Sequence, residues 1–145
     1  MASGIAAAAS TFSTASPAAV KKSSYKPELS LNMSTIMGQK LGYIREIEIA
    51  AAAGFRSCEI WMPTLEAYLK SGGSLKEARK RADDLGMKIQ NAIGFAQWIV
   101  DDEKVRMQGL EQMKREMDML AQLGCPRTAA PPMGATKEAG LDLHK

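Results

Sequence analysis

Three glycines divide most of this chain into repeats of one kind. Gly54, Gly86 and Gly124 each close a stretch with the apolar period of a helix and stand just before a stretch of strand-compatible residues. Glycine suits that place because it adopts the left-handed backbone of a helix C-terminus without a steric penalty. Candidate strands begin near residues 29, 56, 87 and 126, at spacings of 27, 31 and 39 residues. Spacings of that size leave room for a helix between successive strands, and such strand–helix–strand units form right-handed parallel crossovers. The expected fold class is α/β.

The individual elements follow from local pattern. Leu29, Leu31 and Met33 alternate with Ser30, Asn32 and Ser34, a period of two that suits a short first strand. A helix from about residue 40 puts Tyr43, Ile44, Ile47, Ala50 and Ala51 on one arc, with Arg45 and Glu46 outside it. Phe55 to Trp61 is a second strand, ended by Pro63, and Thr64 to Leu69 forms a short helix before the Ser71-Gly72-Gly73 turn. Ser74 and Glu77 have the spacing of a capping box, opening a helix with Leu75, Ala78, Ala82 and Leu85 on one face. Met87 to Ile93 is the third strand, and Gly94 to Val100 a loop carrying Phe95 and Trp98. Asp101 and Asp102 are N-cap residues for a long helix whose predicted core face is Leu110, Met113, Met117, Leu120 and Ala121. Arg127 to Ala130 is a brief fourth strand, stopped by Pro131-Pro132.

Composition excludes several classes. With 145 residues, 46% hydrophobic and 24% charged, the chain is a globular protein of one domain. Its net charge of +3 is not gathered into a patch, since Lys76, Arg79, Lys80 and Arg81 are followed at once by Asp83 and Asp84. Nucleic acid is therefore not an expected partner. Cys58 and Cys125 support neither a disulfide framework nor a zinc site and are expected to be buried thiols. No apolar run reaches the roughly 20 residues of a membrane span. His144, the single histidine, is expected to be a mobile surface group.

Residues 1–27 are a different material, rich in Ala, Ser and Thr and expected to be a flexible tail. The segment has the small-residue bias of an export signal but lacks a basic stretch ahead of it. Either a plain tail or a signal remnant accounts for it, with a cytoplasmic chain as it stands and an exported one if a parent carries an intact signal. Residues 28–145 then form the folded part.

Parallel α/β units close as an open doubly wound sheet or as an eight-stranded barrel. The open form places a phosphate-binding loop after the first strand, and Asn32-Met33-Ser34-Thr35-Ile36-Met37-Gly38 has neither dinucleotide nor P-loop spacing. The barrel takes about 250 residues, whereas about four βα units fit here. A partial TIM barrel, its N-terminal half, is the expectation.

Three segments support that choice: Ala-Gly-Phe-Arg-Ser-Cys-Glu-Ile-Trp (53–61), Leu-Gly-Met-Lys-Ile-Gln-Asn-Ala-Ile-Gly-Phe (85–95) and Leu-Gly-Cys-Pro-Arg-Thr-Ala-Ala-Pro-Pro (123–132). Together they resemble the first half of the xylose isomerase-like TIM barrels, from about Leu29 to Gly134. The resemblance implies metal-assisted aldose-ketose isomerisation or epimerisation of a sugar or sugar phosphate through an enediolate, with Mn, Mg, Zn or Co as the divalent metal of the complete barrel. It also implies that the metal ligands and proton-relaying carboxylates belong to second-half strands. This chain has no cofactor site of its own on that basis, and its catalytic residues are unassigned.

Barrel sites lie at the C-terminal ends of the strands, which selects Asn32 and Ser34 after strand one, Glu59 and Trp61 on strand two, Asn91 on strand three, and Phe95 and Trp98 beyond it. Aromatic walls suit sugar rings, and Asn and Glu hydrogen-bond hydroxyls. Each has a plainer role open to it: Glu59 as an outward strand charge, the tryptophans as core or loop anchors, the asparagines as partners for nearby backbone. An exposed half-barrel is also expected to self-associate through its unpaired edges, as a fragment of an enzyme or as a non-catalytic assembly module. An endonuclease IV-like enzyme shares the barrel but needs a basic groove and several histidines.

Overall fold

Three short parallel strands, β1 (Ser30–Asn32), β2 (Ser57–Trp61) and β3 (Lys88–Ile93), form a sheet in the order β1-β2-β3. They belong to a computed structural model that describes residues 26–133; nearly all of the proposed N-terminal tail, and His144, lie outside the described residues. Each strand pairs with its successor, so the chain steps in one direction, without the reversal that marks a doubly wound sheet. The architecture is a partial barrel of three parallel strands with its helices on the outer side.

Those helices are α1 (Tyr43–Ala52), α2 (Met62–Lys70), α3 (Leu75–Asp84) and α4 (Glu103–Leu123). The start signals behave as local chemistry requires. The Ser74 hydroxyl accepts from the Glu77 backbone N–H while the Glu77 carboxylate accepts from the Ser74 N–H, and Asp102 accepts from the Val105 N–H. Pro63 ends β2 by starting α2 in its first turn, where its missing N–H costs nothing.

Alternation along β2, and along β3 with one extra residue at Gln90, sends Cys58, Ile60, Ile89 and Ala92 into one core with Ile47, Ala50, Leu65, Ala78, Ala82 and Leu120 from the helices. Both cysteines are free and buried there. Burial, with Cys125 and Glu46 nearby, pushes the Cys58 thiol up to about 12.

Three details depart from the sequence pattern. Arg127–Ala130 runs beside β3 but makes a single parallel bridge, Ala129 to Ile93, with the Ala129 N–H donating to the Ala92 carbonyl at 2.7 Å. Pro126, Pro131 and Pro132 flank it with no N–H to donate, which keeps the ladder from extending. On α4 the buried stripe is Gly109, Glu116, Leu120 and Leu123, while Leu110, Met117 and Ala121 are exposed and Met113 is half-buried. A Cβ at position 109 would collide with the Gln97 carbonyl oxygen, so Gly109 turns inward to let the loop after β3 lie on the helix. On α1, Glu46 is buried with Tyr43, Ile47 and Ala50 instead of lying outside the apolar arc.

Two tests follow from α1. Tyr43 stacks on Tyr68 with ring centroids 5.6 Å apart, yet its buried hydroxyl has no partner among the described residues. Tyr43→Phe is expected to raise the free energy of unfolding by about 1 kcal/mol in a urea titration, because it removes a desolvated polar group; a loss would show that the hydroxyl is bonded. Burial also raises the Glu46 carboxyl above its ordinary value. The native state therefore holds a proton where the unfolded chain has released it, and stability falls as pH rises from the usual carboxylate range through the raised native value. Glu46→Gln is expected to flatten that fall in thermal melts recorded across pH.

Candidate functional site

The inner face of the sheet carries a row of polar side chains, and a backbone irregularity puts them in line. Asn32 pairs with Glu59 across β1 and β2. Between β2 and β3 the register moves: Cys58 pairs with Ile89, but Glu59 pairs with Asn91, so Gln90 is an extra residue in β3. A bulge of this kind re-aims the side chains that follow it. Without it Gln90 would face Glu59; with it Asn91 does, and Gln90 instead accepts from Arg127 through Oε1 at 2.7 Å.

The result is a rung across three strands. Asn32 Nδ2 donates to Glu59 Oε1 at 2.6 Å, and Asn91 Nδ2 donates to Glu59 Oε2 at 2.7 Å. Asn32 Oδ1 accepts from the Ser34 backbone N–H at 2.8 Å and from Trp61 Nε1 at 3.3 Å. Ser34 therefore takes part through its backbone. Asn91 Oδ1 is buried and has no partner among the described residues. Beside the rung, Trp61 and Phe95 meet with centroids 5.0 Å apart and planes tilted by 51°. Asn32, Ser34, Glu59, Trp61, Asn91 and Phe95 thus come together. Trp98 does not join the rung: its indole donates to the Pro131 carbonyl at 2.9 Å and ties the loop after β3 to the fourth segment.

A second polar group went unread in the sequence. Glu116 is 4% exposed and accepts from Gln112 Nε2 at 2.7 Å. It lines a cavity with Gly94, Ala96, Trp98, Met113 and Thr128, beneath the loop after β3, with room for about one water. A Cβ at Gly94 would collide with Glu116 Oε2, so the pair interlocks loop and helix. The available signal was the Gln112 and Glu116 spacing of four, which puts both on one helix face.

The rung does not fit a divalent metal. Glu59 is its single acid, and both neighbouring amides turn N–H groups toward it where a cation would need oxygens. Among the described residues no three His, Cys, Asp or Glu side chains group closely enough to hold an ion.

Residues 47–142, more than half of the chain, match the family described as xylose isomerase-like TIM barrel. The chain belongs to this family. The fold agrees: a crystal structure of a protein from Sinorhizobium meliloti 1021 superposes with a TM-score of 0.61 at 22% identity, covering 71% of this chain and 35% of that one. A xylose isomerase-like TIM barrel/4-hydroxyphenylpyruvate dioxygenase fusion protein superposes with a TM-score of 0.55 at 25% identity, covering 73% of this chain and 16% of its own. The chain thus spans about a third of the first structure and less of the second. No curated protein matches it significantly. Within this xylose isomerase-like fold, the rung runs from the last residue of β1 across the middle of β2 and β3, with Trp61 and Phe95 beyond it.

Glu59→Ala leaves two amide donors without their acceptor and is expected to cost about 1 to 3 kcal/mol in chemical denaturation. Gln90→Ala, outside the rung, is expected to cost less than about 1 kcal/mol. Equal losses would show that the rung has no special place in the fold.

Proposed function

We propose that this chain supplies a substrate-side wall of a sugar or sugar phosphate isomerase or epimerase. In the complete barrel the reaction moves a proton between carbons beside a sugar carbonyl, assisted by a divalent metal that stabilises the enediolate. The observation that carries the proposal is the rung set against the Trp61 and Phe95 wall. Glu59 accepts hydrogen bonds from sugar hydroxyls, the aromatic rings cover the C–H face, Asn91 holds Glu59 from β3, and Asn32 holds both Glu59 and the Trp61 indole in place. These residues bind and orient. In this reading the metal and the base come from elsewhere in the barrel.

Self-association belongs to the same proposal. Among the described residues β1 has a neighbour on one side only, and Met107, Leu110 and Met117 stand exposed along α4. These two features equally favour a second use of the chain, as an assembly module that pairs with a copy of itself.

Light scattering coupled to size-exclusion chromatography is expected to show dimers or larger species; a compact monomer counts against edge pairing. With added Mn²⁺ or Mg²⁺ and a ketose, the 145-residue chain is expected to give no turnover while the ketose perturbs Trp61. Turnover would show that these residues assemble a whole site, and an undisturbed Trp61 would remove the wall from the substrate path.

A further inference from the structure

Resting on that reading, we infer that the rung selects an uncharged, hydroxyl-bearing part of the substrate and keeps anionic groups, phosphate above all, off the β1–β3 side of the mouth. The juxtaposition is specific: a carboxylate held between two neutral amides, with an aromatic pair along its flank.

Charge comes first. Each Glu59 oxygen accepts one amide N–H, from Asn32 at 2.6 Å and from Asn91 at 2.7 Å. Neither partner carries a positive charge, so the carboxylate keeps its field on the inner face of the sheet, where a phosphate or carboxylate at contact distance meets like charge. Hydrogen bonding adds a second constraint. Each carboxylate oxygen has a further lone pair, whereas Asn91 Oδ1 is buried out of a ligand's reach. Asn32 Oδ1 is already committed to the Ser34 N–H and the Trp61 indole. Each amide nitrogen also keeps one more N–H. A row with both unused acceptors and unused donors is matched by hydroxyls, which do both. Phosphate only accepts under these conditions, and an ammonium group only donates.

Shape is the third constraint. Trp61 and Phe95, 5.0 Å apart, give an apolar strip next to the row, which suits the alternation of C–H and O–H along a polyol.

The test uses the full chain, ¹⁵N-labelled, and follows the Trp61 indole and the Asn32 and Asn91 amide signals during titration. The probes are D-fructose, D-fructose 1,6-bisphosphate, which presents an anion at either end, and D-glucosamine. D-Fructose is expected to shift these signals, with the bisphosphate weaker by about tenfold or more and the gap narrowing as salt screens the repulsion. Glu59→Gln is expected to shrink the gap while amides remote from the rung stay unshifted. If that variant does not fold, the salt series on the unaltered chain decides. Equal or tighter binding of the bisphosphate, or binding of D-glucosamine alone, overturns the charge filter and leaves the wall standing. If no sugar moves Trp61, the proposed wall fails and the filter with it.

Discussion

The two hydrogen bonds that Glu59 receives from Asn32 and Asn91 are the contact on which the inner face depends. A carboxylate half-buried on a sheet must be given donors, and here they come from both neighbouring strands at the same level. β1 is only three residues long, so its backbone ladder is short, and a side-chain bond from its last residue adds to the hold. The bulge at Gln90 sets which amide β3 offers: it puts Asn91, rather than the longer Gln90, opposite Glu59. The rung and the register of the sheet are therefore linked.

The outer layer supports this arrangement from behind. Gly109 admits the loop after β3 to the surface of α4, Glu116 fits against Gly94, and Trp98 fastens that loop to Pro131. Phe95 projects from the loop so held, which is how an aromatic residue outside any strand comes to rest on Trp61.

Much of this was legible in the sequence, for reasons that differ by element. Caps such as Ser74 with Glu77, and Asp102, were readable because the atoms that satisfy them lie three residues away. The parallel fold class followed from spacing alone. Glu59 and Asn91 were picked out by their positions on the strands, but their meeting depends on a bulge, announced only by two polar residues in succession at 90 and 91. The core face of α4 was misjudged because hydropathy ranks Met117 and Leu110 above a glycine and a glutamate. Gly109 and Glu116 are inside because the loop needs space and a buried acceptor has a donor in Gln112. Glu46 misled in the same way: a wheel weighs side chains by polarity and cannot see how far a neighbouring layer overhangs them. The fourth strand was visible as a pattern, but prolines on both sides reduce it to one bridge.

The backbone contact at Gly109 makes α4 a shelf. A helix seated directly on a loop, with no side chain between as cushion, fixes that loop's height, and any larger residue at 109 would lift the strap from which Phe95 reaches Trp61. The perch of an inner-face aromatic is thus set from the outer layer, by the smallest residue in the helix.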